Sequence, residues 1–238
     1  YEISECLVGS EMCIRDRPMP ANASVTNDAK GKVDFGKIAF TLDDLNKALG
    51  EKREKREHIF TYTVTESGKV AGVTNDANAT RKVSYTVTDD GKGNLSVSHK
   101  PDGDVAFTFT NAYNVKPVED RITATKVLTG RDMTEGEFSF ELVEGNNVVA
   151  TGTNNADGKI VMDSVTYTAA GEHTYILRET KADTTENGIT YSTAEYTIVT
   201  TVKDNNDGTL SVEHKLQNVD KATFENAYTV TPQELQCY

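Results

Sequence analysis

The chain has 238 residues, enough for one or two domains, and 37% of them are hydrophobic, which suffices for small cores. Its formal net charge of −12 argues against nucleic acid or an anionic membrane surface as a partner. No apolar run is long enough to span a membrane. The three cysteines (Cys6, Cys13 and Cys237) lie at the ends, which excludes a disulfide framework or a cysteine-based metal site between them.

The two ends of the chain differ from what lies between them. The sequence has no starting Met, signal peptide or C-terminal sorting motif, so we interpret it as a fragment. Residues 1–17 share no pattern with the rest and look like translated sequencing-adapter DNA, and we leave them out of the predicted fold. Residues 231–238 are interpreted as a truncated tail.

Residues 18–115 are predicted to form a first unit made mainly of strands. After β signals over 21–40, Leu42, Leu45 and Leu49 fall at helical spacing and lead into a run of charged residues. This pattern predicts a charged helical insertion over 42–57. Alternation of apolar and polar residues then predicts four strands, and these cover residues 60–64, 83–87, 95–99 and 107–113.

Residues 119–230 are predicted to form a second unit after a short linker. Apolar residues alternate with polar ones in short segments that are separated by Gly, Asn and Asp. Asp157-Gly158 has the composition of a hairpin turn, and so does the run from Asn205 to Gly208. The clearest predicted strands cover residues 122–128, 138–142, 196–200, 210–214 and 222–228.

The two units are repeats of each other. The sequence F-x-N-A-Y occurs at 109–113 and again at 224–228. The offset between matching residues falls from 127 at Gly31 and Gly158 to 113 further on, which places a 14-residue insertion at the charged helix. Short strands, frequent turns and a unit of this size predict an all-β chain of tandem Ig-like β-sandwich domains. The first unit is predicted to be truncated, because it has no counterpart of the strands at 122–128 and 138–142.

Three polar residues of the second unit fall on the apolar side of their strands: Lys126, Glu179 and Asn226. A buried amine or carboxylate is costly unless it is paired, so their convergence on one core predicts a reactive cluster. Desolvation favours the neutral forms of the amine and the acid. Neutral Lys126 can then attack the side-chain amide of Asn226, with Glu179 transferring protons and ammonia leaving.

The motifs around these residues resemble those of a known family. The segments T-K-V-L-T-G-R (125–131), Y-I-L-R-E-T (175–180) and F-E-N-A-Y (224–228), in this order, are similar to the isopeptide-linkage repeat of streptococcal-type major pilins. That family's fold is similar to the B-type repeats of collagen adhesins. The resemblance covers roughly residues 21–230, and it implies that Lys126 is the amine, Asn226 the amide and Glu179 the catalytic acid.

In the first unit, Glu66 and Asn111 match the acid and the amide, but no lysine precedes Lys30. Glu66 and Asn111 are therefore predicted to remain without a lysine partner and without a bond.

Other interpretations of the polar residues predict no reactive site. The three residues of the second unit could be unrelated, with the Lys126 stem reaching solvent, Glu179 ending its strand in water and Asn226 bonding to the backbone. The run Asp204 to Gly208 resembles a calcium loop but lacks the ligand register and the final Glu, so a turn is predicted. His99 and His214 alternate with apolar strand residues and are predicted to be structural, with no metal site and no cofactor.

Together these patterns predict a structural protein of the Gram-positive cell surface: a pilus or stalk subunit with a self-formed Lys–Asn isopeptide bond. It is not predicted to be an enzyme, since its reactive groups are consumed in a single turnover. The resemblance implies other pilin subunits, or the cell wall through sortase, as partners; which lysine links subunits is open, and exposed Lys116 is one candidate. The alternative is an adhesin module that binds a host ligand through its loops or through residues 42–57.

Overall fold

The computed structural model describes residues 2–4, 17–50, 56–100 and 108–236. The chain divides into two compact units, Tyr1–Asn114 and Val115–Tyr238. Within the described residues, strands predominate and a single α-helix is present. The predicted all-β class with tandem Ig-like domains is confirmed.

The first unit is built on an antiparallel sheet in the order β2-β1-β3-β5-β6, and β4 pairs separately with β7. Its longest strand, β3, buries every second side chain, and this buried row ends at Glu66. The elements of this unit are β1 (Glu2–Ser4), β2 (Ser24–Thr26), α1 (Leu42–Leu49), β3 (Glu57–Ser67), β4 (Val73–Thr74), β5 (Thr80–Asp89), β6 (Leu95–Lys100) and β7 (Ala112–Tyr113).

Strand β1 corrects the interpretation that residues 1–17 take no part in the fold. Its three residues pair with β2 on one side and β3 on the other, and Ile3 lies opposite Glu66. Three residues are too few to carry a period-2 pattern, so this strand could not be predicted from alternation. Residues 5–16 lie outside the described part of the chain.

Helix α1 is shorter than the predicted insertion over 42–57. Thr41 caps it in a capping box with Asp44, and Leu45 is its buried residue. The helix stops because Gly50 follows it at φ 56°, a conformation that favours glycine. Strand β3 already begins at Glu57, and residues 51–55 lie outside the described ranges.

The second unit has a ten-stranded sheet in the order β15-β16-β19-β9-β12-β11-β10-β14-β17-β18, and β8 pairs with β13. All of its pairings are antiparallel except that of β9 with β19. The strands are β8 (Val118–Asp120), β9 (Thr123–Thr129), β10 (Ser139–Glu144), β11 (Asn147–Asn154), β12 (Lys159–Met162), β13 (Val165–Tyr167), β14 (Gly171–Glu179), β15 (Thr185–Glu186), β16 (Ile189–Thr190), β17 (Glu195–Asp204), β18 (Leu210–Leu216) and β19 (Thr223–Tyr228).

This sheet folds over on itself around one apolar core. Strands β14 and β19 are far apart in the order of pairing, yet the Glu179 and Asn226 side chains are hydrogen-bonded. The Tyr196 hydroxyl of β17 likewise donates to the backbone carbonyl of Thr223 in β19. Two layers therefore face each other, as in a β-sandwich, and aromatic rings such as Phe140 and Phe224 pack between them with centroids 5.1 Å apart.

The parallel pair β9–β19 brings the first long strand of the unit beside the last. Lys126 lies opposite Phe224, and Asn226 lies opposite Leu128. Since side chains alternate along a strand, Lys126 and Asn226 reach the same interior, two positions apart on neighbouring strands.

Candidate functional site: a buried Lys–Glu–Asn cluster

Lys126, Glu179 and Asn226 lie inside the second unit, each with 2% of its surface exposed. β9, β14 and β19 each contribute one of them. All three lie on the buried parity of their strands, as the alternation predicted. In the structure neither Lys126 nor Glu179 reaches solvent, because both side chains are enclosed, so that alternative is wrong.

The carboxylate of Glu179 connects the other two groups. The Lys126 Nζ atom lies 3.2 Å from Glu179 Oε1 and 3.3 Å from Oε2. The Asn226 Nδ2 atom donates to the same Oε1 over 2.9 Å. The amine and the amide nitrogen therefore meet at one carboxylate oxygen, which can exchange a proton with either of them.

The cluster is enclosed by apolar and aromatic side chains. The Lys126 Nζ atom lies 4.6 Å from the centre of the Phe138 ring, and Phe140 and Phe224 are fully buried beside it in the core. Burial lowers the pKa of the Lys126 amine below its usual range; the charge of Glu179 and its hydrogen bond act in the opposite direction and offset this only in part. The protein therefore favours the uncharged, nucleophilic form of this lysine more than water would.

The backbone N–H of Ser192 also belongs to the site, and sequence reasoning did not identify it. It donates to Asn226 Oδ1 over 2.7 Å, so the amide has its nitrogen on Glu179 and its oxygen on a backbone donor. A donor on this oxygen polarises the carbonyl and stabilises negative charge that develops on it during attack. Every residue other than proline carries such a donor, so its use at a site leaves no trace in residue type.

Gly158 allows β9 to come close to the turn before β12. Its N–Cα bond has φ 85°, and a Cβ atom placed on it would lie 2.2 Å from the backbone oxygen of Lys126. The Lys126 N–H in turn donates to the Gly158 carbonyl over 2.6 Å. The glycine that anchors the repeat alignment is therefore a packing partner of the lysine-bearing strand.

The first unit has the acid and the amide in the same mutual arrangement. Asn111 Nδ2 donates to Glu66 Oε1 over 2.6 Å, and the backbone N–H of Asp76 donates to Asn111 Oδ1 over 2.8 Å. Glu66 is 5% exposed, and its second oxygen, Oε2, is buried with no hydrogen-bond partner. Among the described residues, no lysine donates a hydrogen bond to Glu66 Oε2.

The other polar features that the sequence analysis singled out make contacts within the fold. The turn between β17 and β18 uses its carboxylates internally: Asp204 accepts from the Asn206 N–H and Asp207 from the Thr209 N–H, both over less than 3.0 Å. His214 contacts Thr200 and Asp120. Over the described ranges, no group of three His, Cys, Asp or Glu residues is placed to hold a metal ion.

The chain matches a protein-family model in two ranges. Residues 11–114 and 122–229 each match the FctA family, whose description is Spy0128-like isopeptide containing domain. A search of the curated proteins finds no similar sequence. Among the residues described, no helix has the length and apolar character needed to cross a membrane.

The two matched ranges coincide with the two units of the structure and carry the two copies of the acid–amide pair. The resemblance to a streptococcal-type pilin with two tandem repeats is confirmed, and the family supports a structural role in a pilus or at a Gram-positive surface, in association with other pilin subunits. The chain belongs to the FctA family of isopeptide-containing domains, in two tandem copies.

Proposed function

We propose that this chain is a structural segment of a surface fibre whose second unit is locked by an isopeptide bond between Lys126 and Asn226. The observation that carries the proposal is the shared carboxylate oxygen: Glu179 Oε1 lies 3.2 Å from the Lys126 amine and 2.9 Å from the Asn226 amide nitrogen. An amine, an amide and a proton carrier in one buried cluster have the composition required for amide exchange.

The reaction begins with transfer of a proton from Lys126 Nζ to Glu179, which leaves both groups uncharged in the apolar interior. The lone pair of Nζ then attacks Cγ of Asn226 and forms the new C–N bond. Negative charge develops on Oδ1, where the Ser192 N–H stabilises it. Glu179 protonates the departing Nδ2 and takes the surplus proton from Nζ, so the C–Nδ2 bond breaks and one ammonia leaves.

The consequence of the bond is resistance to unfolding. It closes a loop of about 100 residues, which is worth on the order of 5 kcal/mol by restriction of the unfolded chain. Unlike a disulfide it cannot be reduced, which suits a unit that contains no cysteine between residues 115 and 230. The reaction runs once for each molecule, so the chain is not an enzyme in the usual sense.

Intact-protein mass spectrometry of the full chain tests the bond. We expect the protein to be lighter than its sequence mass by one ammonia, with fragmentation spectra that link Lys126 to Asn226. Lys126→Ala should restore the full mass. Glu179→Gln should restore it as well, since a carboxamide of nearly the same shape cannot accept the proton from Lys126.

A control variant separates chemistry from folding. Lys159→Ala removes an exposed lysine on β12, next to β9, and should leave the ammonia loss intact. Full sequence mass in the parent, with circular dichroism characteristic of a folded β-protein, would refute the proposed bond. The second unit would then be a plain β-sandwich.

The proposed role includes attachment to other pilin subunits or to the cell wall through sortase. The alternative role is adhesion through α1 and the charged residues after it. The polar side of this helix is exposed, with a Lys47–Asp43 ion pair on its surface, while Leu45 is buried. Saturable binding of a host ligand that is lost when residues 42–50 are replaced by a Gly-Ser linker would favour adhesion.

A further inference from the structure

Strand β19, which carries Asn226, is paired along only one of its edges where the amide lies. On one side, β9 accompanies it from Thr223 to Ala227. On the other side, β16 reaches only Ala227 and Tyr228, and no further strand of the described chain pairs with β19. The backbone from Thr223 to Asn226 therefore presents polar groups at a free edge, and these groups need other partners.

The Tyr196 hydroxyl binds the first of these groups. Successive carbonyls of a strand point to opposite edges, and the Ala222 carbonyl accepts from the Thr125 N–H of β9. The next carbonyl, that of Thr223, points away from β9 and accepts from the Tyr196 hydroxyl. The Tyr196 ring meets the Phe224 ring edge-on with centroids 5.0 Å apart, so the side chain packs against β19 as well as bonding to it.

Tyr196 belongs to the layer that carries the acid. On β17 it lies opposite Leu177 of β14, two residues before Glu179, and both Leu177 and Glu179 are buried in the core. The hydroxyl contact therefore joins the pair of strands that carries Glu179 directly to the strand that carries Asn226. For β19 to move relative to β14, this hydrogen bond would have to break.

The first unit makes the same contact with a different side chain. The Arg81 Nε atom donates to the Thr108 carbonyl over 3.1 Å, and the Arg81 guanidinium lies 4.7 Å from the centre of the Phe109 ring. The positions correspond between the repeats, since an offset of 115 separates Arg81 from Tyr196, Thr108 from Thr223 and Phe109 from Phe224. A phenol and a guanidinium can both donate a hydrogen bond, so a side-chain donor to this carbonyl is the feature that the two units share.

In the first unit, this donor is tied to the residue that contacts the amide oxygen. The Asp76 N–H donates to Asn111 Oδ1 over 2.8 Å. The Asp76 carboxylate accepts from Arg81 at 2.7 Å and from the Thr110 N–H at 2.9 Å. One ion pair therefore holds both the edge of the strand and the donor to its amide.

The second unit repeats this arrangement with uncharged groups. The Ser192 N–H donates to Asn226 Oδ1 over 2.7 Å, and the Ser192 hydroxyl accepts from the Ala194 N–H over 3.2 Å. Tyr196 follows four positions after Ser192. One short segment, residues 192–196, therefore contacts both the amide oxygen and the edge of the strand that carries the amide.

We propose that Tyr196 is a positioning residue for the isopeptide reaction: its hydroxyl fixes β19 where the Asn226 amide reaches its two partners together. The amide has to hold its nitrogen 2.9 Å from Glu179 Oε1 and its oxygen 2.7 Å from the Ser192 N–H at the same time. Misplacement of reacting groups by about 1 Å costs about 100-fold in rate, so a small shift of β19 is enough to slow the reaction. This inference rests on the proposed function, because it concerns the reaction at the same site.

Tyr196→Phe tests the proposal, because it keeps the ring against Phe224 and removes only the hydroxyl. The full chain is made by cell-free translation, and samples are quenched in acid at timed intervals. Intact-protein mass spectrometry then gives the fraction of molecules that has lost one ammonia. We expect Tyr196→Phe to lose ammonia about 10- to 100-fold more slowly than the parent protein does.

Tyr167→Phe is the matched control. It removes the hydroxyl that accepts from Tyr175 over 3.4 Å in the same core, on a strand that carries no residue of the cluster. We expect this variant to lose ammonia at the parent's rate. The rates are compared under conditions in which both substitutions are folded, as judged by urea unfolding in the Asn226→Ala background, where no bond can form.

A spectroscopic measurement separates the position of the amide from the stability of the unit. In a Lys126→Met chain labelled with ¹⁵N-asparagine, the side-chain NH₂ signals of Asn226 are assigned by their loss in Asn226→Ala. Tyr196→Phe should shift these signals, because the amide loses one of its two partners. Tyr167→Phe should leave them in place.

The outcomes distinguish the two proposals. Ammonia loss at the parent's rate in Tyr196→Phe, equal slowing in Tyr167→Phe, or unchanged Asn226 signals would overturn the positioning role. No ammonia loss from the parent protein would overturn the proposed function instead, and this is measured before the variants are compared.

Discussion

Lys126 is the residue whose charge state governs the cluster. Burial holds the pKa of its amine below the usual range, so before any bond forms the folded state binds this proton less tightly than the unfolded state does. Between the folded and unfolded pKa values the unfolded chain therefore holds more protons, and stability rises as the pH rises through this window. Below the window both states are protonated, and the full cost of burying the charge is present.

We expect Asn226→Ala, which keeps Lys126 as a free amine, to become more stable as the pH rises from neutral towards the ordinary lysine pKa of about 10.4. Urea unfolding of the second unit over a pH series measures this. The double variant Lys126→Met, Asn226→Ala lacks the titrating amine and serves as the reference. A stability difference between the two variants that does not change with pH would show that burial has no effect on the lysine.

The residues of this site differ in how far the sequence predicts them. Lys126, Glu179 and Asn226 are predictable, because each is a polar residue on the buried parity of an alternating segment. Their contact through one carboxylate oxygen is not predictable. The alternation of residues shows which face of a strand a side chain lies on, but it does not show which residues lie opposite across the core. The Ser192 N–H is not predictable at all, because backbone donors are common to nearly every residue.

At the scale of elements, the turn before β12 positions the lysine strand. Gly158 combines a positive φ with contact to the Lys126 carbonyl, whereas Gly31 has the same conformation next to open space. Both glycines resist substitution because of their backbone conformation, but only Gly158 also excludes a side chain.

Gly158→Ala should therefore destabilise the second unit more than Gly31→Ala destabilises the first, by an overpacking cost of about 1–3 kcal/mol. It should also slow the loss of ammonia, because β9 has to move away from its partner. Denaturant unfolding and time-resolved mass spectrometry after refolding measure the two effects. Equal destabilisation by the two substitutions would mean that the backbone near Gly158 can move to accommodate a Cβ atom without a loss of stability.

The sequence predicts where strands lie more reliably than it predicts which strands pair with each other. Alternation located β3, β5 and β17, since each is long and half-buried. The parallel pairing of β9 with β19 could not be predicted from it, because a strand pattern carries no information about its neighbour. Helix α1 ends at Leu49, the last of the three leucines at helical spacing, and Gly50 follows it with a positive φ.

At the scale of the whole molecule, the position of the two joined residues decides how the second unit responds to tension. Lys126 lies on β9, the first long strand of the unit, and Asn226 lies on β19, its last strand, and these two strands are direct neighbours. With a bond between them, a pulling force passes directly from β9 to β19 and is not borne by the chain between residues 126 and 226. The sheet between them is then not pulled apart, and the unit stays compact under force.

Pulling single molecules of the full chain from both ends should show this directly. In the parent, the roughly 100 residues between the bonded positions should release no length, whereas in Asn226→Ala they should release roughly 330–360 Å at about 3.3–3.6 Å for each residue. The first unit, which lacks the lysine, should unfold in both proteins and serves as the internal reference. If the parent protein extended as far as the Asn226→Ala variant, the bond would be contradicted. A covalent link between residues 126 and 226 prevents the chain between them from extending, even when the unit unfolds.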